Sequence, residues 1–148
     1  MRLVIQRAKN AKCIVDGNVI SEIGYGFMIL VGFSEDDQDM DDFSYYVNKI
    51  ANMRIFTDNN DKLNLSIKDI KGEILLISQF TLYGDTRKGN RPSFTKSLGY
   101  DSASKLYDKF ASLLNEVVPT HKGEFGSDMK IEFTNDGPVT ILMDSKEL

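Results

Sequence analysis

The sequence has 148 residues, of which 41% are hydrophobic and 27% charged, a length and composition typical of one globular domain with a hydrophobic core rather than of a disordered chain. The formal net charge of −4 argues against a protein that coats nucleic acid without specificity. No apolar run is long enough to span a membrane, and the amino terminus lacks the apolar core of a signal peptide, so we expect a cytoplasmic protein.

The first third of the chain predicts β structure. Apolar runs alternate with the turn signals VDGNV and GYG, and Asp16-Gly17 is typical of a tight hairpin turn. Cys13 precedes that turn and is the only cysteine, so it cannot form an internal disulfide, and we expect a small core or strand residue. Residues 27–33 form an apolar run that predicts a buried central strand.

Two segments have the apolar periodicity of helices. The first is predicted at residues 39–53, after the acidic run EDDQDMDD, whose carboxylates favour a helix amino terminus. That run lacks the ligand spacing and central glycine of a calcium loop, so capping is preferred to a metal site. The second helix is predicted at residues 102–118, capped by Asp101 or Ser102 and stopped by Pro119.

Further strands are predicted at residues 74–77 and, as one or two strands, within residues 129–145. Strands therefore stand before, between and after two principal helices. This order favours a single α+β domain over residues 1–148, with the helices packed on a mainly antiparallel, barrel-like sheet.

The familiar catalytic motifs are absent from the sequence: it contains no H-E-x-x-H, C-x-x-C, P-loop or G-x-S-x-G. His121 is the only histidine and lies in a polar, glycine-containing stretch that predicts a surface loop. The remaining candidate is SQFTLYGD, residues 78–85, where polar residues follow an apolar strand directly. Either the strand simply leaves the core there, or its backbone N–H groups form an oxyanion hole. Thr81 would be a nucleophile only with an activating base, and no such base is evident.

Two other segments allow either a structural or a functional interpretation. Residues 86–100 contain Arg87, Lys88, Arg91 and Lys96 and no acidic residue, which fits a solvated loop or a phosphate-binding surface. Gly137-Pro138 stands directly before the apolar residues 139–143. It either closes a turn and starts a strand, or provides bare main chain for a close approach to a ligand.

Three of these segments carry a resemblance to a known family. SQFTL at residues 78–82, the following GDTRKGNRPSF and NDGPVT at residues 135–140 resemble the D-aminoacyl-tRNA deacylases, as do LVIQRA and EIGYGFMILVG near the amino terminus. The resemblance covers essentially the whole chain. It implies hydrolysis of the ester between a D-amino acid and the 3′ end of tRNA, a proofreading step in translation, with glycyl-tRNA as a further substrate. It also implies a homodimer with sites near the subunit interface and no metal or organic cofactor.

The resemblance also assigns residues. It implies an acyl pocket lined by Ser78, Gln79, Phe80 and Thr81, and a cis Gly137-Pro138 peptide that enters the partner's pocket and rejects L-amino acids. It implies that Arg7 supports the Gly-Pro loop, and tRNA contacts are expected from Arg87, Lys88 and Arg91.

For the chemistry, we prefer activation of water by the tRNA 2′-hydroxyl, with the Phe80–Thr81 backbone N–H groups as oxyanion donors, to a covalent Thr81 nucleophile. The alternative function is a dimeric module that binds the tRNA end without catalysis.

Overall fold

The computed structural model describes residues 1–147. Its strands and α-helices follow in the order β1 (Arg2–Val15), β2 (Asn18–Glu22), β3 (Tyr25–Gly32), α1 (Ser44–Asn52), β4 (Phe56–Thr57), β5 (Leu63–Leu65), β6 (Glu73–Ser78), α2 (Tyr100–Asn115), β7 (Thr120–Lys122) and β8 (Lys130–Asp144). Short 3-10 turns lie at Glu35–Asp37 and Phe80–Tyr83. Across these 147 described residues, no helix has both the length and the apolar character needed to cross a membrane.

The long strand β1 organises the main sheet. β3 pairs antiparallel with residues 2–9 of β1, β2 pairs with residues 12–15, and β8 pairs antiparallel along most of the strand. β6 then lies parallel to β3, and β7 parallel to β6. The Ser21 hydroxyl donates to the Lys122 carbonyl over 2.8 Å, which joins β2 to β7 and nearly closes the sheet into a barrel. The predicted α+β fold with a mainly antiparallel, barrel-like sheet is confirmed.

The two parallel pairs were not part of the prediction. Parallel neighbours need a crossover connection, and the segment between β3 and β6 supplies one that contains α1 and the small β4–β5 hairpin. The crossover places the carboxyl ends of β3 and β6 side by side, with Val31 opposite Ser78.

The main core lies between the sheet and the two helices. Its largest fully buried side chains include Phe27, Phe56, Tyr107 and Phe110. The Tyr107 hydroxyl donates to the Leu76 carbonyl over 2.6 Å and accepts the Gly123 N–H over 3.1 Å, so it fixes α2 to β6. Burial raises the pKa of Tyr107 above its usual value, because the phenolate would lose hydration there.

Most predicted strands and the first turn are confirmed, whereas the helix bounds were too wide. Asp16 and Gly17 have φ angles of 49° and 79° and form the tight β1–β2 turn, and Cys13 is buried on β1. α1 begins at Ser44 rather than 39, because the Asp42 carboxylate accepts the Ser44 N–H over 2.9 Å and the acidic residues before it stay outside the helix.

α2 is displaced toward the amino terminus relative to the prediction. It begins at Tyr100 with Gly99 as N-cap, so neither Asp101 nor Ser102 caps it. It ends at Asn115, before Pro119, and the chain then turns so that Val118 is still buried. The sequence predicts the helix as far as residue 118 because apolar residues continue to be buried beyond the end of α2.

Candidate active site

A cavity of about 580 Å³ lies at the adjacent carboxyl ends of β3 and β6. The start of α2 and residues 125–129 close its other sides. Ser78, Gln79 and Phe80 line the cavity, while Thr81, the next residue, is exposed outside it. Three of the four residues predicted for the acyl pocket therefore line one concave site.

The backbone of this segment is held in a defined geometry. The Gln79 N–H donates to the Val31 carbonyl over 2.7 Å, and the Ser97 hydroxyl donates to the Phe80 carbonyl over 3.1 Å. Gly32 makes the close approach possible, because a Cβ at that position would lie 2.7 Å from the Gln79 carbonyl oxygen. The main chain is thus fixed on both sides of the Phe80 amide.

Two backbone N–H groups at the site are free to bind a ligand. Within residues 1–147, the N–H groups of Phe80 and Thr81 have no hydrogen-bond acceptor, since the first bond of the 3-10 turn is donated by Leu82 to the Gln79 carbonyl. Two adjacent N–H donors at the rim of a cavity suit a developing oxyanion.

The Thr81 hydroxyl has no basic partner in the described part of the chain. It accepts a hydrogen bond from the Gln79 side-chain amide, which cannot take up its proton. His121 lies on β7, not in the predicted surface loop, and its Nε2 is 2.9 Å from a carboxylate oxygen of Glu73. Glu73 begins the strand that Ser78 ends, about 17 Å away at the rise of a β-strand.

Gly137 and Pro138 lie in a bulge of β8 opposite Arg7. Gln6 pairs with Thr140 and Ala8 pairs with Asn135. Between these two pairs, β1 has only Arg7, whereas β8 has the four residues 136–139. β8 continues through the bulge, so Pro138 does not begin a strand. The Gly137–Pro138 peptide bond is cis, and both residues are exposed.

The buried Arg7 side chain hydrogen-bonds the main chain of this bulge. It is only 6% exposed, and its Nε donates to the Asp136 carbonyl over 2.9 Å while its Nη1 donates to the Ile55 carbonyl over 3.0 Å. The Asp136 carboxylate in turn accepts the Tyr25 hydroxyl over 2.9 Å. Burial, followed by this hydrogen bond, raises the pKa of Tyr25. Arg7 thus contacts the residue before Gly137, and its role in supporting the Gly-Pro loop stays a prediction.

The bulge and the cavity are far apart within one chain. Arg7 pairs with Phe27, and Phe27 pairs with Ile74, which is four residues before Ser78 on β6. Three strand spacings and four residues separate the two places, or about 20 Å along the sheet. A single subunit therefore does not bring Gly137-Pro138 to the Ser78–Thr81 segment.

The basic segment forms a hairpin beside the cavity. Asp85 and Ser93 exchange two backbone hydrogen bonds of 2.7 and 2.9 Å, which close residues 86–92 into a loop. Arg87 binds both carboxylate oxygens of Asp85, over 2.9 and 2.7 Å, and so holds the Asp85 pKa well below its usual value. Among the described residues, no carboxylate lies within 4 Å of Lys88 or Arg91, and both side chains are exposed.

Comparisons with known proteins identify the family of the chain. The sequence family described as D-Tyr-tRNA(Tyr) deacylase matches residues 4–144. A D-aminoacyl-tRNA deacylase of Clostridium beijerinckii is 55% identical over 147 residues, which cover 99% of this chain and 98% of that protein.

Two solved structures are similar over nearly the whole chain. A protein named c-Myc DNA unwinding element binding protein is 38% identical with a TM-score of 0.88, covering 98% of this chain and 99% of the other. A structure described as a probable eukaryotic D-amino acid tRNA deacylase shares the fold, with 20% identity, a TM-score of 0.79 and coverage of 96% and 97%. The chain therefore belongs to the D-Tyr-tRNA(Tyr) deacylase family, which confirms the family and the D-aminoacyl-tRNA ester hydrolysis that its motifs predicted.

Proposed function

We propose that this chain works as a homodimer in which the Ser78–Thr81 segment of one subunit binds the aminoacyl ester and the partner's Gly137–Pro138 segment selects the D-configuration. The observation that carries this proposal is the strand register, which separates the two motifs by three strand spacings and four residues within one chain, or about 20 Å along the sheet. A two-fold symmetric pair allows each bulge to reach the cavity of the other subunit.

The surface around the bulge supports a second copy as the occupant. Within residues 1–147, β8 has β1 as its only strand partner, so one edge of β8 is unpaired. Leu142 on that strand is 74% exposed, an unusual position for a large apolar side chain. Covering this strand with a partner subunit would bury Leu142 and bring Gly137-Pro138 against another molecule.

The hydrolysis requires few side chains. Water adds to the ester carbonyl carbon, the carbonyl oxygen becomes an oxyanion, and the N–H groups of Phe80 and Thr81 stabilise it. The bond to the ribose oxygen then breaks, and that oxygen takes up a proton as the free D-amino acid leaves. The neighbouring 2′-hydroxyl of the ribose accepts the proton of the attacking water as it passes its own proton to the departing 3′-oxygen, so it ends as a hydroxyl. This scheme needs no base from the protein, which agrees with the amide partner of Thr81.

Selection against L-amino acids follows from main-chain sterics. An L side chain would meet the rigid main chain of the Gly137–Pro138 segment, whereas a D side chain points away from it. Glycyl-tRNA is expected to be hydrolysed as well, because glycine has no side chain to exclude. The Arg7 hydrogen bond to the Asp136 carbonyl holds this main chain in place.

The tRNA itself is bound through its phosphates. Lys88 and Arg91 on the 86–92 loop carry charges that no described carboxylate neutralises, whereas Arg87 already binds Asp85. We therefore expect Lys88 and Arg91 to contribute more to tRNA binding than Arg87 does.

A second candidate function is nucleic-acid binding without catalysis, which the printed name of the c-Myc DNA unwinding element binding protein suggests for that relative. Incubating the chain with D-tyrosyl-tRNA and L-tyrosyl-tRNA, and measuring free tyrosine, separates the two functions. Rapid release from the D-substrate alone supports the hydrolase. Binding of both tRNAs with no release from either would favour the alternative.

Subunit complementation tests the shared site directly. Phe80→Pro removes one oxyanion donor, and Gly137→Ala damages the selecting bulge, so each variant alone should hydrolyse D-tyrosyl-tRNA much more slowly than the wild type. If the site is shared, a mixed dimer contains one site with both halves intact, and equal mixing should restore about one quarter of wild-type activity. If each site is built from one chain, mixing restores nothing.

A further inference from the structure

Two exposed phenyl rings stand beside the oxyanion donors and are not used in the chemistry proposed above. Phe80 is 58% exposed and Phe94 is 39% exposed, and their ring centroids are 5.3 Å apart with an interplanar angle of 72°. Phenyl rings have no polar group that hydrogen-bonds water, so the pair presents an exposed apolar face on which a ligand can pack.

The main chain of both aromatic residues is held by the same residue. Ser97 donates its N–H to the Phe94 carbonyl over 3.1 Å and its hydroxyl to the Phe80 carbonyl over 3.1 Å. Phe94 also packs against bare main chain, because a Cβ on Gly84 would lie 3.0 Å from the Phe94 ring. The main chain therefore fixes where both rings begin, and Gly84 supports the Phe94 ring from one side.

The charge around the rings fits a nucleic acid. Phe94 directly follows the Asp85–Ser93 bridge that closes the basic loop, and Lys96 lies two residues beyond it. For Lys88, Arg91 and Lys96, no carboxylate of residues 1–147 lies within 4 Å. Exposed aromatic rings among unpaired cations are the arrangement with which proteins bind single-stranded nucleic acid.

We propose that the Phe80 and Phe94 rings are a stacking site for an unpaired tRNA base, the one that precedes the terminal adenosine. This proposal rests on the proposed function, since that function brings the ester to the Phe80 and Thr81 N–H groups. The preceding nucleotide must then leave the cavity past the Phe80 ring. Stacking there holds the acceptor end in register, and Lys88, Arg91 and Lys96 bind its phosphates.

The first test compares substrates of different length. Phe94→Ala should lower kcat/KM for D-tyrosyl-tRNA by about 5- to 150-fold, the range expected for the loss of one stacked base. It should leave kcat/KM for 3′-D-tyrosyl-adenosine unchanged, because that substrate has no preceding base. Phe94→Tyr should retain the wild-type values for both substrates.

A matched control is available on α1. Tyr45 is 51% exposed and makes a similar edge-to-face pair with Tyr46, with centroids 5.3 Å apart, so Tyr45→Ala removes a comparable exposed ring elsewhere. This variant should keep full activity on both substrates. Three outcomes would overturn the proposal. Phe94→Ala could lose equal activity on the two substrates, or lose none on either. Light scattering could also show that the Phe94→Ala protein has the mass of a single subunit.

The second test does not depend on catalysis. The sequence contains no tryptophan, so Phe94→Trp introduces a single fluorescent reporter at the stacking site. Uncharged tRNA with its complete 3′ end should quench this fluorescence, and tRNA lacking the unpaired 3′ nucleotides should not. Quenching by both tRNAs equally, or by neither, would contradict the stacking site. A protein that quenches normally but releases no tyrosine would retain the stacking site and refute the hydrolase.

Discussion

Arg7 donates its Nε–H to the main-chain carbonyl oxygen of Asp136 over 2.9 Å, so a buried guanidinium of one strand supports the exposed Gly137-Pro138 main chain of the next. The same guanidinium binds the Ile55 carbonyl through Nη1. A planar group with several donors can make both contacts at once, which an ammonium group cannot do. The bulge therefore depends on the type of cation as well as on its charge.

Arg7→Lys should consequently lower D-aminoacyl-tRNA hydrolysis strongly, although the charge is kept. We expect a loss of about 1–3 kcal/mol in the free energy of unfolding as well, because either the Asp136 or the Ile55 carbonyl is left without a hydrogen-bond donor. Steady-state hydrolysis and urea unfolding measure the two effects. Arg54→Lys is the control, since Arg54 is exposed and should tolerate the change. Unchanged activity in Arg7→Lys would show that the bulge does not need this contact.

Gly137→Ala should reduce hydrolysis of D-substrates while L-substrates remain refused. Gly137 has a φ of 131°, and a Cβ there would lie 2.9 Å from Val139 Cγ2 and 3.1 Å from Arg7 Nη2. Gly24→Ala is the matched control, because nothing lies within 4 Å of its Cβ position. Free tyrosine released from D- and L-tyrosyl-tRNA provides the measurement. Full D-activity with full L-rejection in the Gly137 variant would make this glycine a simple structural residue.

Thr81→Ala should largely keep its activity, because alanine retains the backbone N–H. Phe80→Pro should lose about 100- to 1000-fold in kcat relative to Phe80→Ala, since only proline removes an oxyanion donor. Single-turnover hydrolysis of D-tyrosyl-tRNA compares the three variants. A loss of several orders of magnitude in a folded Thr81→Ala protein would instead support a covalent nucleophile.

A tRNA that ends in 2′-deoxyadenosine should be a poor substrate. The 2′-hydroxyl is the proposed proton acceptor for water, and no described side chain near Thr81 can replace it. Binding of this tRNA should be unaffected, so the loss should appear in kcat rather than in the dissociation constant. Normal hydrolysis of the deoxy substrate would exclude the tRNA-assisted scheme.

Charge removal on the basic loop should affect binding and not chirality. Lys88→Ala and Arg91→Ala should each weaken tRNA binding and reduce the slope of log K against log salt by about 1. Arg87→Ala should have a smaller effect, because Asp85 already pairs with Arg87. Lys62→Ala, an exposed lysine on the β4–β5 hairpin, is the control. Equal salt slopes for all variants would identify residues 86–92 as a solvated loop.

Several properties of this protein follow from short-range sequence patterns. The Asp16-Gly17 turn, the apolar strands β3 and β6 and the amphipathic stripe of α2 depend on neighbouring residues, and all were predicted. The family was also predicted, because SQFTL and NDGPVT occur in the right order in a chain of the right length. Local turn chemistry and apolar periodicity act within a few residues, so the sequence alone determines them.

The ends of the helices depended on contacts that periodicity does not report. Asp42 accepts the Ser44 N–H, which starts α1 five residues later than predicted, and Val118 is buried although α2 has already ended. Burial and helicity coincide only while the helix lies against the core. The Ser97 hydrogen bonds that join Phe80 to Phe94 likewise gave no signal in the sequence.

The relation between the two motifs was decided by tertiary structure alone. The parallel β3–β6 pair brings Val31 beside Ser78 and builds the cavity, while the β1–β8 register places Gly137 beside Arg7 at the other end of the strands. An apolar strand shows that it is buried, but it does not show which strand it pairs with or in what register. The sequence determined which chemical groups are present. The fold determined that one chain keeps them about 20 Å apart along the sheet, because the long-range strand pairings set every distance between the motifs.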